Sequence, residues 1–404
     1  MSHLQRKLVV LLFSAALGLY AVGSWAQLKD SHFVITNDNP GYSSSATFFL
    51  AAGSAKDATL AEYRRVLTNQ VSYGYLIYNP LIALSPSGDM ECVFISNIGS
   101  NSISAIDLHT QRPLGSFTSS KDNGTHGLGI VAHNGYVYAA FLNSRTLAAF
   151  KIASGCKLEY VDNLVAKGLN HGAITGMAAH GNILVVTYGD GSIQSFNVAN
   201  GTPVSNQDEQ NSTGYRDGNL GQPNGVDISE DGHYAIFGDF TGYHTEVEVS
   251  DISSGKLTTT VDYGGKKRVN GSLGSADNSE VVWLSPDESL LYVSNTTSGH
   301  VTAANFDKRT GKVSRGCTSD VLKGYPKDWY FTFQVATGSV SGNGSPLYVV
   351  EQGFHSADAI SFIGILNVHQ NGGKCKLSES KYSEAQDQGT QVLSSFQAYP
   401  PRPF

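Results

Sequence analysis

Beyond residue 26 the hydrophobic positions fall in short runs of roughly six residues, rich in Val, Ile, Tyr and Phe and broken by Gly, Asn, Asp and Ser. That is the spacing of strands and turns, and no stretch repeats the three-and-four spacing of a long amphipathic helix. The clearest unit is residues 284–316, LSPDESLLYVSNTTSGHVTAANFDKRTGKVSRG. Within it residues 284–286 end one strand, 287–289 turn, 291–295 and 301–306 form two more strands, and 308–311 turn into a fourth. Similar units begin at Leu84, Val131, Met177 and Ile228, and a looser one at Leu347, spaced by about 40–60 residues.

A four-stranded unit repeated in this way predicts one blade after another of a β-propeller. Six copies lie inside the chain, and the ends supply a seventh. Residues 32–37 (HFVITN), 45–51 (SATFFLA) and 62–68 read as second, third and fourth strands with no first, and residues 391–399 (QVLSSFQAY) offer the missing innermost strand. Pairing them would remove the open edges of a linear array. The expected fold is therefore all-β, a seven-bladed β-propeller closed by strands from both termini.

Length alone, 404 residues, would suggest two or three domains, but a ring of this blade size takes up residues 27–404 as one. With 44 Gly and only 15% charged residues, the composition suits buried strands joined by tight turns. The N-terminus is different: Arg6 and Lys7 precede an apolar run over 8–21, and Ser24-Trp25-Ala26 precede Gln27. This pattern predicts a signal peptide over residues 1–26 and a secreted or periplasmic protein without a membrane span after its removal. Such a compartment permits disulfides. Cys92, Cys156, Cys317 and Cys375 allow three pairings, and the last three read as turn residues before outermost strands, so they are expected to staple outer turns. Sequons occur at Asn123, Asn200, Asn211, Asn270, Asn295 and Asn343. A net charge of −7, with 266–268 as the one basic cluster, argues against nucleic acid as a partner.

In a propeller the innermost strands line a tunnel, so polar residues at their starts converge on one rim. Counting back from the repeat places Glu280, Asn224 and His126 there, and looser alignments add His171, Gln334 and Tyr75 with its neighbour Tyr73. Arg268 and Arg216 lie in loops feeding that rim. A carboxylate, imidazoles, amides and a guanidinium suit acid–base work on an oxygen-rich, anionic small molecule. Glu280, His126 and His171 are the catalytic candidates; Asn224, Gln334, Arg268 and Tyr75 are the candidates for holding substrate. A water-filled tunnel lined by structural polar groups is the competing reading. His133 and His180 stand in turns, where exposure explains them, and Asp231, Asp287 and Asp190 read as turn residues and not as calcium loops. No nucleophile elbow, zinc helix, phosphate loop or dinucleotide fingerprint is present.

The segments LSPDESLLYVSN, LSPSGDMECVFISN and ISEDGHYAIFGD, with HFVITNDN and SSFQAYP at the two ends, resemble the seven-bladed propeller lactonases, a family that includes phosphogluconolactonases and fungal carboxymuconate cyclases. The resemblance covers residues 32–399 and implies lactone chemistry without a cofactor, carried by His, Glu and Arg side chains at the tunnel mouth. His126 and Glu280 stand where such groups would be. One departure matters: an inner-strand start that often reads Pro-His in that family is Pro223-Asn224 here. The Pro223-Asn224-Gly225 sequence is also similar to a metal-binding segment of calcium-dependent gluconolactonase and paraoxonase-like propellers, an alternative in which Asn224 and Glu280 would ligate Ca2+. The function expected is hydrolysis of a sugar-acid or aromatic-acid lactone; the rival is a non-catalytic propeller of the cell envelope that binds a protein partner through its long loops.

Overall fold

The computed structural model describes residues 32–38, 45–52, 59–68, 70, 82–118, 127–141, 146–165, 174–189, 191–206, 210–211, 223–239, 247–263, 279–295, 298–322, 330–337, 346–353, 361–371, 374–380, 384–386 and 393–399. The strands among them form seven sheets arranged as a seven-bladed β-propeller. Blade 1 takes its inner strand from Leu393–Tyr399 and its next three from His32–Asp38, Ser45–Ala52 and Thr59–Leu67. Blades 2 to 7 follow in chain order. Their inner strands are Ile82–Ser87, Gly127–His133, Ile174–His180, Pro223–Ile228, Ser279–Leu284 and Tyr330–Thr337. Their second strands are Met90–Asn97, Tyr136–Phe141, Ile183–Tyr188, Tyr234–Asp239, Leu290–Asn295 and Leu347–Gly353. Each inner strand touches the next, and Leu393–Tyr399 touches both Tyr330–Thr337 and Ile82–Ser87, so the ring closes.

The second strands read as continuous apolar runs because both of their faces are covered. In Met90–Asn97, Val93 and Ile95 pack toward blade 1 with Phe33, Ile35 and Phe48. Cys92 and Phe94, one residue out of phase, pack toward blade 3 with Val137, Ala148 and Phe150. The same division recurs in Leu290–Asn295, where Leu291 and Val293 join blade 5 and Tyr292 joins blade 7. Alternate side chains of one strand thus hold two seams, and each large one buried this way stabilises the fold by about 1.5–3 kcal/mol. Outer strands keep one face in water, as the mostly exposed Arg112–Thr118 shows.

Seams are also tied at the turns. His133 and His180 are half-buried, not exposed as expected: His133 Nε2 lies 2.8 Å from the Gly181 carbonyl of the next blade. A Cβ on Gly232 would stand 2.6 Å from the His180 ring, so that ring packs directly on the following blade. Asp231 and Asp287 are turn residues, each accepting from the serine two positions before it at 2.7 and 2.6 Å. The sequon residue Asn295 is buried and donates to Thr302 Oγ1 at 2.8 Å, which removes it as a glycan acceptor.

Two disulfides join neighbouring blades, Cys92 with Cys156 across blades 2 and 3, and Cys317 with Cys375 across blades 6 and 7. The expectation of three equivalent turn cysteines needs correction. Cys156 is in a turn, but Cys317 and Cys375 lie inside the outer strands Lys312–Thr318 and Lys374–Glu379, and Cys92 is buried in a second strand.

Candidate active site

An extra residue interrupts the pairing near the start of most inner strands. In blade 5 Asn224 pairs with Gly238 and Val226 with Phe237, leaving Gly225 over. Blade 6 pairs Ser279 with Asn295 and Val282 with Val293. Comparable shifts occur at Gly127/Gly129, Ile174/Gly176, Thr332/Gln334 and, in the closing blade, opposite Asn37/Asp38. Such bulges bend a strand and re-aim its side chains. Their recurrence gives a residue-by-residue alignment of the rim.

Ile130, Met177, Val226, Val282, Val335 and Phe396 occupy one register position, opposite Ala139, Val186, Phe237, Val293, Val349 and Thr36. Two residues earlier stand Leu128, Thr175, Asn224, Glu280, Phe333 and Ser394. Asn224 and Glu280 are therefore equivalent, as the repeat suggested. His126 is not: Leu128 takes the matching place, and His126 lies two residues before it. Thr175, not His171, represents blade 4. Gln334 falls one position further on, at the place of Gly225, and pairs with Val350. His126, His171, Arg268, Tyr75, Tyr73 and Arg216 lie outside the described residues.

The polar positions are thus consecutive, Thr175, Asn224 and Glu280 on blades 4, 5 and 6. Their exposures are 5%, 1% and 0%, so all three are withdrawn from bulk water. The backbones that carry them meet closely. A Cβ on Gly176 would stand 3.0 Å from Gly225 N, and one on Gly225 would stand 2.8 Å from the Glu280 carbonyl. Gly225 also has φ +55°, so both its space and its conformation require glycine. Thr175 Oγ1 donates to the Pro223 carbonyl at 2.6 Å, fixing the peptide that leads into Asn224. Behind Glu280, Val281 N–H donates to Ser294 Oγ at 2.9 Å, and Leu284 N–H donates to Asp227 Oδ2 of blade 5 at 2.8 Å.

Within this frame Asn224 Oδ1 is buried without a hydrogen-bond partner. A buried amide oxygen left unpaired costs about 1–3 kcal/mol, and native folds keep few of them. An amide, a carboxyl group and a hydroxyl held on contiguous strands, away from water, suit proton transfer and oxyanion binding. Calcium takes six to eight oxygen ligands. Among the described residues no group of three or more His, Cys, Asp or Glu side chains is placed to hold a metal, and Asn224 with Glu280 alone does not meet that need.

No known family profile and no curated protein sequence matches the chain. Solved structures do. A proposed 6-phosphogluconolactonase from Bacteroides uniformis superposes with a TM-score of 0.65 at 14% identity, covering 91% of this chain and 99% of that one. A second, from Bacteroides fragilis, gives 0.61 at 16% identity, with 91% and 98% covered. The periplasmic gluconolactonase of Pseudomonas aeruginosa gives 0.53 at 16% identity, with 71% and 81% covered. At these identities the likeness is one of architecture. In fold, this chain is a seven-bladed propeller of the lactonase type.

Proposed function

We propose that the chain is a lactone hydrolase, acting on a sugar-acid or aromatic-acid lactone at the rim formed by blades 4 to 6. The observation that carries this reading is the placement of Asn224 and Glu280 at one register position of adjacent blades, both buried, with Asn224 Oδ1 left without a partner. The similarity in fold to proteins described as lactonases supports it.

In the proposed mechanism Glu280 takes a proton from the attacking water, whose oxygen adds to the lactone carbonyl. The Asn224 side-chain N–H groups bond the resulting oxyanion, and the ring C–O bond breaks as the leaving oxygen regains a proton. His126 and His171 are proposed to relay that proton, while Gln334, Arg268 and Tyr75 hold the acid end of the substrate. No metal is assigned a step. The two disulfides and the N-terminal apolar run support an extracytoplasmic setting.

The test is hydrolysis of a panel of sugar and aromatic lactones by the chain from Gln27, with and without chelator, beside Glu280→Gln and Asn224→Ala. Turnover that survives chelator, falls at least about a hundredfold in Glu280→Gln and falls by a smaller factor in Asn224→Ala is the expected result. Unchanged turnover in Glu280→Gln would remove Glu280 from the chemistry. No turnover of any lactone by the unaltered chain would favour the non-catalytic binding propeller.

A further inference from the structure

Asp38 ends the second strand of the closing blade at a position that two other blades give to asparagine. Asp38, Asn97 and Asn295 each pair with the first residue of their third strand, Ser45, Ser102 and His300. Asn97 Nδ2 donates to Ser104 Oγ at 2.9 Å and Asn295 Nδ2 to Thr302 Oγ1 at 2.8 Å. The hydroxyl at that place in blade 1 is Thr47, and its Oγ1 lies 2.7 Å from Asp38 Oδ2. Ser45 Oγ bonds the same oxygen at 2.8 Å, and Thr36 Oγ1 bonds Oδ1 at 2.7 Å. The closing blade therefore keeps the polar clamp of its siblings but builds it with a titratable group that is wholly buried.

We propose that Asp38 is a proton-operated clasp on the ring closure. As a neutral acid it locks His32–Asp38 against Ser45–Ala52; on losing its proton to solvent it becomes a buried charge that loosens the strand pairing with Leu393–Tyr399. The hydroxyl cage suits the neutral form. Asp38 Oδ1–H can donate to Thr36 Oγ1, whose own hydrogen reaches the Thr47 carbonyl at 3.4 Å, while Ser45 and Thr47 donate to Oδ2.

Burial pushes the Asp38 carboxyl up to about 6, against the pull of the three hydroxyls and Arg65. The folded chain therefore holds a proton that the unfolded chain gives up from its ordinary value of 3.8. Clasp stability is fully present below pH 3.8 and is lost as pH rises through about 6. The charged group that acts on Asp38 is Arg65, whose Nε lies 3.3 Å from Thr47 Oγ1. Of the other groups on packed strands, Glu62 pairs with Phe49, Arg64 reaches the Thr110 carbonyl, and His32 and Tyr399 lie at the opposite end of the pair. Ser45–Ala52 and Ile82–Ser87 carry no acid or base, Glu91 pairs with Pro86 at the far end of blade 2, and on blade 7 Glu351 pairs with Thr332.

The test compares denaturant unfolding of the full chain with that of Asp38→Asn from about pH 4 to about pH 8. It also follows amide exchange of Leu393–Tyr399 in the unaltered chain near pH 5 and near pH 7.5, corrected for intrinsic rates. Between the two ends of the range the folding constant of the variant, relative to the parent, should rise by about a hundredfold, the factor that two pH units of displacement imply. The inner strand should exchange faster at the higher pH. Parallel curves for the two proteins, or corrected exchange that does not change with pH, would overturn the clasp. Should Asp38→Asn fail to fold, the exchange experiment decides alone.

Discussion

At the scale of single residues, the rim depends on backbone contacts that leave no room for a side chain. Gly225 combines φ +55° with a carbonyl 2.8 Å from where a Cβ would stand, so Gly225→Ala should cost about 1–3 kcal/mol and displace the Glu280 peptide. A shift in denaturation midpoint measures the cost, and loss of lactone turnover in the folded variant would measure the displacement. Thr175→Val keeps the volume but removes the 2.6 Å bond to the Pro223 carbonyl, with an expected loss of about 1–3 kcal/mol by the same measurement. Three tyrosines at one repeat position, Tyr138, Tyr292 and Tyr348, are buried in successive seams. Burial and the neighbouring Tyr136 push the Tyr138 hydroxyl up to about 12, and burial raises the other two as well. Their raised folded values stabilise the fold below the ordinary phenol range, with the contribution lost as pH climbs past it. Ultraviolet titration should find these phenols protonated until the fold opens, and normal titration of all tyrosines before unfolding would refute that.

At the scale of elements, the strand repeat was legible because its turns carry their own chemistry: LSPD and ISED mark the inner turn, where Ser285 and Ser229 donate to the aspartate two residues on. The rim was less legible. Each candidate stretch offered two glycines, Gly127 and Gly129 in THGLGI and Gly172 and Gly176 in NHGAITGM. Alignment on the first glycine selects His126 and His171, whereas the pairing register selects the second and so Leu128 and Thr175. A bulge adds its residue without changing the hydrophobic pattern that follows, so periodicity could not tell the two apart. Thr175 had a signal, since Thr-Gly-Met lines up with Asn-Gly-Val once the apolar positions Met177 and Val226 are matched. The partners of the four cysteines had none, because pairing depends on which outer strands face each other across a seam.

At the scale of the whole molecule, the two disulfides sit symmetrically about the closing blade, each one seam beyond its immediate neighbours. They close loops of 64 and 58 residues and are worth about 2–4 kcal/mol each. Replacing Cys317 and Cys375 by Ser should lower the denaturation midpoint accordingly, and an unchanged midpoint would show that the seam between blades 6 and 7 holds without its bridge. The closure itself is noncovalent, and its strands are antiparallel, with Phe33 opposite Tyr399 and Asp38 opposite Leu393. The chain therefore leaves this pair on both sides at the same end. A pull applied through those two exits would not shear the pair with all its hydrogen bonds sharing the load. It would peel them open one at a time, from Phe33 and Tyr399 inward, until the tear reached Asp38.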